Sequence, residues 1–328
     1  MEGGATVKAI VVAEKGGPEQ LVLQDVEDPS PDAGELLIDV SAAGLNFIDT
    51  YHRGGLYPMD FPMTPGLEGS GTVMAIGAGV DGFSVGDRVG WTGVIGSYAE
   101  QHVVPADKAI PIPEGVDDET VAAVLLQGIT AHYLARDTFR LSSQHRCLIH
   151  AGAGGVGLLL TQIAKMSGAE VVTTVGTDDK ARLSREAGSD HVIIYTREDF
   201  AEVVTERYGS DAMDVVYDGV GAATFDAGLD ILKPRGMMVT FGNASGAVPE
   251  ISPLLLSQKG SLFLTRPTMF HYIETREALL SRASDLFEWV GAGDLSVRIG
   301  ERYPLSDAGR AHEDLEARRT TGKVLLVP

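Results

Sequence analysis

The hydrophobic pattern changes character about a third of the way along the chain. Val7 to Ala13, Glu35 to Ala42 and Gly69 to Ile76 are short runs rich in apolar and β-branched residues, separated by turn clusters such as Pro29-Ser30-Pro31-Asp32, Gly77-Ala78-Gly79 and Gly86-Asp87. Short runs broken by such turns predict a β-rich, barrel- or sandwich-like domain. Past Asp117, Thr120 to Leu134 and on to Arg136 reads as one long helix, apolar on most faces. Strand and helix patterns then alternate. Strands are expected at Arg146 to His150, Glu170 to Val175, His191 to Ile194 and Met213 to Tyr217, with helices between them at Val156 to Ser167, Lys180 to Ala187 and Phe200 to Tyr208. This alternation implies an α/β domain, a doubly wound parallel sheet with crossover helices. Gly236 to Phe241 and Ser261 to Thr265 add two strands, and Thr275 to Val290 and Ala308 to Glu316 read as helices. The closing strand, Lys323 to Val327, is expected to return to the first domain.

The candidate chemistry sits at one turn. The strand ending Ile149-His150 runs directly into Ala151-Gly152-Ala153-Gly154-Gly155-Val156-Gly157 and then into a helix. A glycine pattern alone is weak, but strand, glycines and helix inside a repeated β/α unit form a dinucleotide-binding fingerprint. Gly152 would allow the tight turn, Gly154 and Gly155 the approach of a pyrophosphate, and Gly157 close packing of helix on strand. The next strand ends in Gly176-Thr177, where an NAD site usually carries Asp or Glu. Lys180, in the first turn of the following helix, favours NADP because it can meet a 2′-phosphate. Asp178 and Asp179 would repel that phosphate unless they face away.

Composition narrows the field. The 328 residues suggest two domains, and a net charge of −20 disfavours nucleic acid and anionic lipid as partners. A dinucleotide is itself an anion, so helix N-termini, backbone amides and a few cations must make its site locally positive. The single cysteine, Cys147, can form neither an internal disulfide nor a cysteine-rich zinc site. The 40 glycines fit many tight turns and close backbone approaches. The N-terminus shows no basic-then-apolar signal pattern, and no stretch approaches the roughly 20 apolar residues of a membrane span, so a cytoplasmic location is expected.

Ala42-Ala43-Gly44-Leu45-Asn46-Phe47-Ile48-Asp49-Thr50-Tyr51 closely resembles the quinone oxidoreductases, zinc-independent members of the medium-chain dehydrogenase/reductase superfamily related to zeta-crystallin. The resemblance continues through Gly128-Ile129-Thr130-Ala131, the Ala151 to Gly157 turn, Val175-Gly176-Thr177, Val216-Tyr217-Asp218, Phe241 to Gly246, Leu264-Thr265-Arg266-Pro267, Ala311-His312 and Gly322-Lys323. It implies a GroES-like catalytic domain begun by residues 1–124 and completed by 267–328. Residues 125–266 would form a Rossmann domain, with NADPH in the cleft between the domains. It also implies a homodimer built by Rossmann domains, through the edge strand near Ser261 to Leu264. Carried over by position, Asn46, Tyr51, Gln127 and Thr130 would lie near the nicotinamide. The glycine turn (Gly152, Ala153, Gly154, Gly155, Val156, Gly157) would hold the pyrophosphate, and Gly176, Thr177, Lys180 and Tyr195 the adenosine end. Gly219, Phe241, Gly242, Leu264, Thr265 and Arg318 would complete the cofactor site. Gly219 stands where close relatives often have Ser, and His52 where an apolar residue is common.

Zinc-dependent relatives carry a Gly-His-Glu pattern where this chain has Gly66-Leu67-Glu68, and Leu67 cannot ligate a metal. His102, His132, His150 and His191 are read as structural. Without a Lewis acid the reaction suits substrates that accept hydride readily, such as quinones. Asn46, Tyr51, Tyr57 and Arg266 are the candidate donors to the substrate oxygen on which charge develops. An alkenal or enone double-bond reductase is the alternative on the same scaffold. An RNA-binding or structural, crystallin-like protein is the alternative outside enzymes, and the acidic charge opposes it.

Overall fold

The structure is a computed structural model that describes residues 6–328. Residues 1–5, the start of the stretch read above for a targeting signal, lie outside the described residues. The described residues divide into two compact units, one made of residues 6–126 and 273–328, the other of 127–272.

The first unit opens with β1 (Thr6–Val11), β2 (Val22–Glu27) and β3 (Glu35–Leu45), then α1 (Phe47–Gly54), β4 (Glu68–Ile76), β5 (Arg88–Thr92), β6 (Gln101–Pro105) and β7 (Ile110–Pro111). β3 pairs antiparallel with β4 over seven register positions and with β6 over five, so it is the unit's central strand. Its first half alternates, with Leu36, Ile38 and Val40 buried against Val73, Val89, Trp91 and Val104. That is the period-2 pattern of a strand with one face on a core. α2 (Asp118–Tyr133) begins in this unit and ends in the next.

The second unit follows as β8 (Arg146–Ile149), α3 (Gly155–Met166), β9 (Glu170–Val175), α4 (Asp178–Glu186), β10 (His191–Ile194), α5 (Phe200–Tyr208), β11 (Met213–Asp218), α6 (Phe225–Asp230), β12 (Leu232–Thr240), α7 (Pro253–Gln258), β13 (Phe263–Thr265) and α8 (Met269–Tyr272). Its strands form one parallel sheet in the order β10-β9-β8-β11-β12-β13, the Rossmann order 3-2-1-4-5-6 with its switch point between β8 and β11. Leu148, Val172, Ile193, Val216 and Met238 share one core with Phe200, Phe225 and Leu229 of the flanking helices. Each such side chain contributes roughly 1.5–3 kcal/mol when taken out of water. Tyr272 stacks on Tyr133 with ring centroids 4.0 Å apart, which holds α8 in this unit.

The chain then returns to the first unit as α9 (Arg276–Ala292), β14 (Ile299–Pro304), α10 (Ala308–Glu316) and β15 (Lys323–Val327). β15 lies between β14 and β3, pairing antiparallel with β3, so the last strand does rejoin the first sheet. Among the described residues no helix is long and apolar enough to cross a membrane.

Two expectations need correction. The helix expected through Arg136 ends at Tyr133, and Leu134–Thr138 widens into a π turn. The buried Tyr217 hydroxyl donates to the Leu134 carbonyl at 3.1 Å, and Phe139 N–H reaches the same carbonyl at 3.2 Å, which opens the helical ladder there. The helix expected from Lys180 begins at Asp178, because the Thr177 hydroxyl caps it by accepting from Lys180 N–H at 3.3 Å.

Candidate functional site

In the parallel-sheet unit the candidate residues fall at the carboxyl ends of successive strands. β8 leads into the glycine turn, β9 into Gly176 and Thr177, β10 into Tyr195, β11 into Gly219, and β12 into Phe241 and Gly242; Leu264 and Thr265 end β13. Ligands of open parallel sheets bind at that edge, beside the switch point.

The glycine turn is built differently from its sequence expectation. The residue with left-handed backbone is Ala151, at φ 55°, not Gly152. Gly152 is needed for closeness instead, since a Cβ there would stand 2.6 Å from Thr173 Cβ and 2.9 Å from Ser184 Oγ. At Gly157 a Cβ would lie 2.3 Å from the Ala151 carbonyl oxygen, so helix and strand pack as the fingerprint requires. Gly155 faces inward, against the Gln127 side chain. Only Gly154 has an open side, its nearest neighbour being the Ala151 carbonyl at 3.2 Å.

The two helices that follow differ at their N-termini. α3 has neither a capping side chain nor an acid in its first turn, so no carboxylate of its own offsets its positive dipole end. α4 has Thr177 as cap and Asp178 and Asp179 in its first turn. Arg197, just past β10, grips Asp178 through two bonds of 2.9 and 2.5 Å and holds its carboxyl below the usual range. That pair takes up one of the two carboxylates beside Lys180. Arg197 was missed in the sequence, although it lies only two residues beyond Tyr195. Tyr195 covers the end of β9, for a Cβ on Gly176 would stand 2.9 Å from its hydroxyl.

Gly219 and Phe241 meet, as a Cβ on Gly219 would lie 3.1 Å from the Phe241 ring. Arg266 donates to Thr240 Oγ1 at 3.1 Å and Gly242 O at 3.0 Å, and Asn243, with its amide turned toward the guanidinium, accepts from it at 3.1 Å. Those bonds make Arg266 a brace for the segment after β12 and leave it a weaker candidate donor than the sequence suggested. On α2, Gln127 and Thr130 stand one helical turn apart, and Thr130 shares a hydrogen bond with the Tyr133 hydroxyl.

In the other unit, Asn46 precedes α1, Tyr51 lies on it and Tyr57 follows it. Tyr51 and Tyr57 meet edge to face, 5.5 Å between centroids, with Phe47 6.0 Å from Tyr51. Asn46 is buried, its amide donating to Glu68 at 2.6 Å and Gly44 O at 3.2 Å and its carbonyl accepting from Lys323 at 3.0 Å. Both amide hydrogens are used inside the protein, which leaves Tyr51 and Tyr57 as the stronger donor candidates. Arg318 follows α10 with left-handed backbone, φ 59°. Leu67 is buried before β4 and offers no metal ligand, while Cys147 lies fully buried on β8, its thiol pushed up to about 12 by burial.

Two family models match, the alcohol dehydrogenase GroES-like domain over residues 32–114 and the zinc-binding dehydrogenase over 155–289. A quinone oxidoreductase of Pseudomonas aeruginosa is 45% identical over 98% of this chain and 99% of its own. The quinone oxidoreductase of Escherichia coli, solved with NADPH, superposes with a TM-score of 0.93 at 43% identity, covering 99% of this chain and all of the other. A mycobacterial protein, also solved with NADPH, gives 0.95 at 47% identity, with 98% and 100% coverage. The chain belongs to the quinone oxidoreductase family of the medium-chain dehydrogenase/reductase superfamily.

Proposed function

We propose that the protein is an NADPH-dependent quinone reductase that works without zinc. The observation that carries this reading is the α3 N-terminus, free of cap and acid, at the switch point of a parallel sheet. It suits a pyrophosphate, and the backbone at Gly154 is open to receive one. Lys180, with Asp178 taken up by Arg197, suits a 2′-phosphate at the end of β9. The cofactor, when bound, supplies the hydride. Gly219 and Phe241 would hold its nicotinamide side together with Gly242, Leu264 and Thr265, and Arg266 braces that segment. Tyr51 and Tyr57 stabilise the oxyanion that develops on the substrate. Leu67 in place of a ligating histidine supports catalysis without a metal.

The protein works in the cytoplasm as a homodimer. The dimer reading draws on edge strand β13, where Phe263 is 56% exposed, and on neighbouring Leu254, 62% exposed. The experiment is a turnover panel with 1,4-naphthoquinone and an α,β-unsaturated ketone in parallel. Faster turnover of the quinone supports the reductase reading, and faster turnover of the ketone replaces it with double-bond reduction.

A further inference from the structure

A continuous buried network lies under α1, and the reading above uses none of its members. Lys323 pairs with Glu68, both fully buried, and Glu68 also accepts from Leu126 N–H at 2.7 Å. Arg53 pairs with Glu316 at 2.8 Å. These two pairs cancel, so the carboxyl of Asp49, fully buried in the first turn of α1, has no cation of its own.

Hydrogen-bond chemistry fixes the direction of the chain that reaches Asp49. Arg53 only donates, so His312 Nδ1, 2.9 Å away, accepts and its ring proton sits on Nε2. Nε2 faces the Tyr98 hydroxyl at 3.3 Å, and Tyr98 donates to Asp49 Oδ2 at 2.9 Å. Asn46 N–H donates to the same oxygen at 2.8 Å. Asp49 Oδ1 has no partner among the described residues. Every donor therefore points at Oδ2, and Oδ1 is the free place for a proton.

We propose that Asp49 is a positioning residue for the hydride-transfer site. It anchors the Asn46–Tyr51 segment through the bond to Asn46 N–H and the directed Arg53–His312–Tyr98 chain. The proposal rests on the reductase reading for its kinetic consequence. Burial, opposed in part by the bonds from Asn46 and Tyr98, pushes the carboxyl up to about 7. The groups around it are Tyr98 from the segment before β6, Lys323 of β15, Glu68 of β4, Arg53 of its own helix and His312 of α10, whose ring is held neutral by burial and Arg53. Ionisation near neutral pH would leave an uncompensated charge in this pocket.

The test uses Asp49→Asn, Asp49→Ala and Tyr98→Phe in the full chain, read by hydrogen–deuterium exchange of α1 and by quinone turnover. Asp49→Asn places an amide where the proton sits. It is expected to flatten the inflection in kcat expected near pH 7 for the wild type, and to protect α1 about tenfold better than Asp49→Ala. Tyr98→Phe removes a bond that favours the ionised form, so the inflection moves to higher pH. For Asp49→Ala, a loss in kcat larger than the change in KM for NADPH is expected. Wild-type exchange on α1 in Asp49→Ala, or an inflection unmoved in both Asp49→Asn and Tyr98→Phe, overturns the proposal. A wild type that turns over no quinone refutes the reductase reading, and exchange then decides the role of Asp49 alone.

Discussion

The two units build their candidate residues into place with opposite materials. Around the glycine turn the work falls to backbone. Gly152 and Gly157 bring strand and helix together, Gly154 leaves a face open, and α3 begins with no side-chain cap and no acid. Around α1 the work falls to buried polar and charged side chains, with Glu68, Lys323, Asp49, Tyr98, Arg53 and His312 locked side chain to side chain. A backbone site tolerates changes in its neighbours' side chains but no added Cβ. A buried ionic site tolerates changes of volume poorly and unpaired charge hardly at all.

The contrast is sharpest at Glu68. Asn46, Leu126 and Lys323 all direct donors to this carboxylate. Glu68→Gln leaves Lys323 charged and unpaired in the interior, and breaking such a pair costs about 3–5 kcal/mol, measurable by denaturant unfolding. Gly157→Val tests the other unit. Its Cβ would press on the Ala151 carbonyl, a backbone atom that cannot swing aside, so kcat/KM for NADPH should fall about 100-fold as the turn is displaced. Lys180→Ala is expected to raise the KM for NADPH about tenfold while leaving that for NADH in place, as loss of one charge-assisted phosphate contact would. The smallest effect belongs to Gly219→Ser, where the added Cβ meets the edge of the Phe241 ring. A rise in KM of about fivefold, the low end of what overpacking costs, is expected in steady-state kinetics.

The same contrast explains what the sequence disclosed. In the parallel-sheet unit most candidate positions lie at the end of a local strand pattern, so reading the strands placed them along one edge of the sheet. β9, β10 and α5 match their expected spans residue for residue. The first unit is different. Asn46, Glu68, Tyr98, His312 and Lys323 are brought together from five distant stretches, and only the folded sheet makes them neighbours. α1 was missed as a helix although Asn46, with Asp49 three residues on and Gly55 after it, carries the start and stop signals of one. Its first five residues, Phe47 to Tyr51, entered the sequence reading only as part of a family motif. β14 was missed because its sequence, Ile299-Gly300-Glu301-Arg302-Tyr303-Pro304, is mostly polar and pairs on one side only, with β15. The left-handed backbone at Ala151 was hidden by the glycines beside it, which are the residues expected to adopt it.

The sheet edge around α3 and Lys180 is proposed to hold NADPH for hydride transfer to a quinone. The most direct measurement is the ratio of kcat/KM for NADPH to that for NADH with 1,4-naphthoquinone as acceptor. A single charge-assisted contact to the 2′-phosphate predicts a ratio of about ten or more in favour of NADPH. Equal values for the two cofactors would contradict the claim.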